Sequence, residues 1–273
     1  MSQDAPVAEV VQVNRKSLWL AVVGFLLLSI GAVGMGWFPG SDRFNFALQA
    51  LGPLAIALAL IIEWRTHVER RGWAALVLFI VAIITFGALW VPYAINPASL
   101  GTTAATQLGF LMSGIASICA SIGTFLVMRR KESHLEHPTN SVNPQIKATF
   151  MQLLLFGLGT LLYGVDLIWV GEEDSNHGQF SLLAIALVMI MIAVISFEAH
   201  LTVQVGRPAV IITIVAFALY AAGFVLHSLP SWIDEEWRLT AGIQGFSYAL
   251  GAVACGLAAV HKARAPMPLA SRR

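Results

Sequence analysis

Eight stretches of this chain are apolar for roughly 20 residues each, and that restricts its fold more than any other feature. They fall at about 17–37, 45–63, 73–95, 105–128, 149–171, 180–203, 208–229 and 238–261. A helix rising ~1.5 Å per residue crosses a ~30 Å hydrocarbon core in about 20 residues. Lipid offers backbone amides no partner, so each stretch must be helical to enter it. Of the 273 residues, 58% are hydrophobic and only 11% are charged. An ordinary soluble domain carries about 25% charged residues. The expected fold is therefore all-α: a polytopic integral membrane protein with eight transmembrane helices. A net charge of +1 gives nucleic acid nothing to hold. The expected partners are the lipid bilayer, other membrane subunits and a small lipophilic ligand.

Turn-forming residues separate the stretches at Phe38-Pro39-Gly40-Ser41, Asn96-Pro97 and His137-Pro138-Thr139-Asn140. Pro208 opens the seventh span, where a missing N–H costs nothing. Pro53 lies inside the second and should bend it or free a carbonyl.

Positive charge sets the expected orientation. With a cytoplasmic N-terminus, 14 of the 16 Lys and Arg residues fall inside and only Arg43 and Arg238 outside. The inside set comprises Arg15 and Lys16, Arg65, Arg70 and Arg71, Arg129, Arg130, Lys131 and Lys147, Arg207, and four residues of the C-terminal tail. The acids placed outside are Asp42, then Glu172, Glu173 and Asp174, and then Asp234, Glu235 and Glu236. Tryptophans cluster at both expected membrane surfaces, with Trp19, Trp64 and Trp73 inside and Trp37, Trp90, Trp169, Trp232 and Trp237 outside. The first span follows a short polar tail and is long for a signal-peptide core, so it reads as a retained helix. The expected location is a plasma membrane, most simply a bacterial inner membrane, with both termini cytoplasmic.

The chain also echoes itself. Ile80-Val81-Ala82 recurs as Ile214-Val215-Ala216, and Gly72 as Gly206, at an offset of 134. Gly24 and Gly31 match Gly157 and Gly164 at 133, and Glu63 matches Glu198 at 135. Gly109-Phe110 and Cys119 match Gly245-Phe246 and Cys255 at 136. The pattern implies a 4+4 internal repeat. Four is even, so both halves enter the membrane from the same side and the repeat is parallel. The expected organisation is a tail over 1–16, a first half over 17–128, a linker over 129–148, a second half over 149–261 and a tail over 262–273. Glycine and alanine in spans one, four, five and eight suit close helix contact, so these spans should form the boundary between halves.

Ionisable residues within apolar spans are the candidates for function. Asp166 lies about five residues, roughly 7–8 Å, from the outer end of span five. Its expected companions in an outward-facing polar pocket are His227, Gln244 and Tyr248. Tyr163 is one turn below but, at a spacing of three, on a neighbouring face. The competing reading is that Asp166 accepts a hydrogen bond or reaches the headgroups. Glu63 and Glu198, at the cytoplasmic ends of equivalent helices, could form a paired proton or ion site or simply pair with nearby arginines. Cys119 and Cys255 read as small core residues, because a metal site needs more soft ligands than the sequence supplies. His134 and His137 read as surface residues, as does His177, which with Asp174 and His227 has no diagnostic metal spacing.

No phosphate-binding loop, His-Glu-x-x-His or Gly-x-Ser-x-Gly is present. No histidine pair suits bis-histidine haem, and no span holds a lysine for a retinal Schiff base. No cofactor is expected. The function these features favour is a permease-like carrier or an accessory membrane subunit. The alternative is a membrane-embedded enzyme acting on a lipid or isoprenoid, with Asp166 as acid or base helped by His227, Tyr248 and Gln244.

Overall fold

The computed structural model describes residues 15–38, 41–97, 103–133, 144–172, 177–196, 202, 205–227 and 237–264. Among them the chain is helical and no strand occurs. The helices are α1 (Arg15–Trp37), α2 (Asp42–Ile62), α3 (Trp64–Arg71), α4 (Trp73–Ala88), α5 (Val91–Ile95), α6 (Thr103–Ser133), α7 (Pro144–Glu172), α8 (His177–Ser196), α9 (Arg207–His227) and α10 (Trp237–Arg264). Six segments are long and apolar enough to cross a membrane: Arg15–Trp37, Asp42–Ile62, Trp73–Ile95, Gln107–Arg129, Met151–Trp169 and Leu239–His261. Two shorter apolar helical segments, Ser181–Ser196 and Arg207–Gly223, lie in α8 and α9.

Residue size is distributed inside out. Leu54, Leu58, Ile84, Ile185, Ile192, Ile211 and Val253 are exposed, whereas much of the buried set is alanine, as at Ala32, Ala57, Ala75, Ala186, Ala193 and Ala259. Water would drive the large side chains inward. Lipid does not, and helices in lipid associate through small residues that let backbones approach. The molecule's outer surface is thus suited to an apolar solvent.

The long helices pack as a closed ring. Each touches its neighbours in chain order from α1, α2 and α4 through α6, α7, α8, α9 and α10, and α10 returns to α1. Neighbours run antiparallel. Gly24 of α1 meets Gly52 of α2, and Gly31 meets Asn45. Gly114 of α6 meets Gly164 of α7, and Ser121 meets Gly157. Gly245 and Gly251 of α10 meet Val33 and Phe25 of α1. One end of the ring, here the proximal end, therefore holds the starts of α1, α4, α7 and α9; the other is the distal end. The two contacts joining the expected halves are α1 with α10 and α6 with α7, so spans one, four, five and eight do meet there.

The crossing of α6 and α7 leaves no room for a side chain. A Cβ on Gly164 would lie 2.8 Å from the Gly114 carbonyl oxygen, and one on Gly114 would lie 2.7 Å from that of Gly164. Polar side chains also tie neighbouring helices together. Gln49 Nε2 donates to the Leu28 carbonyl at 2.7 Å and Ser121 Oγ to the Gly157 carbonyl at 2.7 Å.

Three details differ from the expected spans. Span three is broken at Leu89-Trp90, where Pro92 starts the short α5 with a proline in its first turn. A polar eight-residue helix, α3, sits between spans two and three. Helices α6 and α7 extend to Ser133 and from Pro144, into the stretch assigned to the linker. Hydropathy marks where lipid ends, not where a helix ends. Helix α2 runs through Pro53, which is buried.

Gly72 and Gly206 are the positive-φ residues of the described chain, at φ 87° and 86°. Gly72 N–H donates to the Val68 carbonyl and Gly206 N–H to the Thr202 carbonyl. The carbonyls of Gly72 and Gly206 then accept from Leu76 and Val210, opening α4 and α9 alike. A side chain at such φ is strained, and glycine is not.

Candidate functional site

All eight long helices contribute to one central cavity of about 620 Å³. That is within the range of roughly 300–1,000 Å³ for small-molecule sites. Pro53 and Ile56 come from α2, Ile83 and Phe86 from α4, Ala116 and Ala120 from α6, and Leu187 and Ile190 from α8. Helix α1 adds Leu18, Phe25 and Leu28, and α10 adds Ser247 to Ala258 along one face. Leu18, Val205 and Ala258 carry the lining toward the proximal end. No Lys, Arg, His, Asp or Glu is among the lining residues.

Four of the five serines and threonines of the lining, all but Ser113, spend their hydroxyls on backbone. Ser117 Oγ donates to the Ser113 carbonyl at 3.0 Å, Thr160 Oγ1 to Phe156 at 2.9 Å, Thr213 Oγ1 to Ala209 at 2.8 Å and Ser247 Oγ to Ala216 at 2.7 Å. The first three are bonds back to the preceding turn, and that of Ser247 crosses from α10 to α9. What remains polar is a tyrosine cluster. Tyr220 and Tyr248 approach with hydroxyls 3.5 Å apart, ring centroids at 5.7 Å and planes at 48°. Tyr163 joins them through its hydroxyl interaction with Tyr220. Helices α7, α9 and α10 thus converge on one phenolic patch.

Asp166 lies one turn distal of Tyr163 and is only 2% exposed. Neither carboxylate oxygen has a hydrogen-bond partner. It does interact electrostatically with Tyr163. Thr160 and Tyr163 line the cavity, and the next turn of that face falls between Asp166 and Leu167. Leaving a buried polar group unpaired costs about 1–3 kcal/mol, and more for a charge. Trp90 Nε1 and Thr240 Oγ1, also toward the distal end, are buried without partners too.

The residues expected to form the outward pocket are placed as follows. Tyr248 lines the central cavity. Gln244 is partly buried and packs toward Gly223 of α9, its Cγ 3.9 Å from where a Cβ would stand. The His227 side chain lies outside the described residues. Glu63 is buried at the C-terminal cap of α2, where its Oε1 accepts from the Ser17 hydroxyl. Glu198 lies outside the described residues, as do Asp174, His134 and His137. Cys255 lines the cavity and Cys119 is partly buried; both thiols are free. No group of three His, Cys, Asp or Glu that could hold a metal occurs among the described residues.

The outward pocket expected from sequence includes neither Tyr220 nor Tyr163, which a spacing of three sets on a face next to that of Asp166. A usable signal existed: three of the four tyrosines stand in spans five, seven and eight, clear of the membrane surfaces where tyrosine is enriched. The sequence matches no protein-family model, and searches of curated proteins and of solved structures found no match.

Proposed function

We propose that this chain crosses a plasma membrane eight times, most simply a bacterial inner membrane, and works as a permease-like carrier of a small lipophilic molecule. Both termini lie in the cytosol, so the proximal end of the ring is cytoplasmic. The observation that carries the reading is the central cavity, to which each of the eight long helices contributes. A ring built only for stability would fill that space, because packed interiors leave few voids larger than a water. The 14-to-2 charge bias supports the orientation, and antiparallel neighbours around the ring support the eight crossings.

The 4+4 parallel repeat belongs to the same proposal. It is supported by the matching turns at Gly72 and Gly206, 134 residues apart. It is also supported by two cross-helix ties at the proximal end. Ser17 of α1 donates to Glu63 at the end of α2, and Gln152 of α7 donates to the Ser196 carbonyl at the end of α8. Each ties the first two helices of its half.

Ligand entry is testable at Cys255. In a Cys119→Ala background, a lipophilic maleimide should label Cys255, and bound N-phenyl-1-naphthylamine should slow the labelling. Filling the cavity by Ala216→Trp should abolish dye binding while the protein stays monodisperse. Unchanged dye binding in that variant would end the cavity reading. A second reading, a membrane enzyme using Asp166, is favoured by that carboxylate's lack of a partner. Turnover of a lipid or isoprenoid, lost in Asp166→Asn, would establish it.

A further inference from the structure

The cavity's chemistry narrows the ligand. We infer that the cavity selects a hydrophobic organic monocation, with the charge held by the faces of Tyr163, Tyr220, Tyr248 and Phe217 and compensated by Asp166. This rests on the reading that the cavity holds a small molecule.

Three observations converge. First, no charged side chain lines the cavity, and the ionisable group that interacts with the tyrosine cluster from outside the lining is an acid, Asp166, so an anionic head group would meet no counter-ion. Burying an unpaired charge is strongly unfavourable. Second, the hydroxyls of Tyr220 and Tyr248 face each other, and Tyr163 pairs with Tyr220. With the phenolic groups turned toward one another, ring surface is what the cluster offers. Tyr220 and Tyr248 meet at 48° with ring centroids 5.7 Å apart, and both line the cavity together with Tyr163 and, one turn before Tyr220, Phe217. Aromatic faces attract cations, and clustered aromatic rings recognise quaternary ammonium groups. Third, Asp166, one turn distal of Tyr163 and interacting with it from outside the lining, is buried with both oxygens lacking a hydrogen-bond partner. A bound cation would supply the charge that the carboxylate lacks. A neutral alcohol or ketone would use neither the ring faces nor the carboxylate so fully.

The test uses the full chain in nanodiscs, with empty nanodiscs as the partition control. Tetraphenylphosphonium and tetraphenylborate have nearly the same shape and opposite charge. Each competes with the neutral dye N-phenyl-1-naphthylamine. Tetraphenylphosphonium should displace the dye saturably at a concentration at least tenfold below tetraphenylborate. Asp166→Asn should remove that preference while dye binding persists, and Asp166→Glu should keep it. Tyr220→Phe, which keeps the ring, should keep the preference, and Tyr220→Leu should lose it. The tyrosine pair decides the matter if Asp166→Asn does not fold. Equal competition by the two ions, or a preference that survives both Asp166→Asn and Tyr220→Leu, would overturn the monocation and leave a neutral ligand. Absence of dye binding in the unaltered protein would instead strike the cavity reading beneath it.

Discussion

At the scale of single residues, Asp166 and the glycine pair Gly72 and Gly206 show opposite relations between sequence and structure. Asp166 was legible as an anomaly, since a carboxylate in an apolar helix needs a reason. Its surroundings were not legible, because side-chain convergence across a ring depends on helix rotation, and hydropathy says little about rotation when lipid and core are both apolar. We expect Asp166→Asn to raise thermal stability in detergent, because it removes a buried charge while keeping the shape of the side chain. A stabilised variant that loses function is the usual trade at a working site. Size-exclusion thermostability curves measure it; a lower midpoint would mean that Asp166 has a structural partner. Gly72 and Gly206 were visible only as one match among several, yet both adopt a φ that side chains avoid. Alanine at either position should destabilise by about 1–3 kcal/mol. At Gly206 the added Cβ would also press His261 at 3.0 Å.

At the scale of helices, nearly all the long elements could be read from hydropathy, while their breaks and ends could not. The break in span three follows from Pro92, whose apolar ring leaves no mark on hydropathy. The extensions of α6 and α7 follow from residues that sustain a helix in water as well as in lipid. Helix contacts were legible in type, because glycine and alanine mark close approach in lipid. Which glycines touch was not legible: Gly31 meets α2, whereas Gly164, its match in the repeat, meets α6. The contacts predict a sharp contrast. Gly164→Ala must push α7 away from the Gly114 carbonyl, and should cost about 1–3 kcal/mol as overpacking does. Gly256→Ala meets nothing nearer than Val22 at 3.9 Å, so it should be neutral or gain up to ~1 kcal/mol from helix propensity. Similar losses at both positions would show that glycine content, not the crossing, sets stability.

At the scale of the whole molecule, the contacts between the expected halves are concentrated, among the described residues, in two seams, α1 with α10 and α6 with α7. If the halves are parallel four-helix units, each begins and ends on the same side, and each can insert without the other. Neither can then close a cavity, because the lining comes from both: Phe25, Ile56 and Phe86 from the first, Tyr163, Tyr220 and Tyr248 from the second. The connection between α6 and α7 raises the local concentration of one half about the other, an effect that co-expression in one membrane can partly replace. We therefore predict that residues 1–138 and 139–273, expressed together as separate chains, will co-purify and bind N-phenyl-1-naphthylamine. Each expressed alone should be recovered poorly and bind none. Reporter fusions at all four ends should report the cytosol. The seams should be specific, so Gly164→Val in the second fragment should prevent co-purification while Gly256→Val does not. Fragments that are stable and dye-binding alone would show that the second half holds a pocket of its own, as the outward cluster of Asp166, His227, Gln244 and Tyr248 would require. Fragments whose ends report opposite compartments would break the parallel arrangement, and with it the eight crossings on which the carrier reading stands.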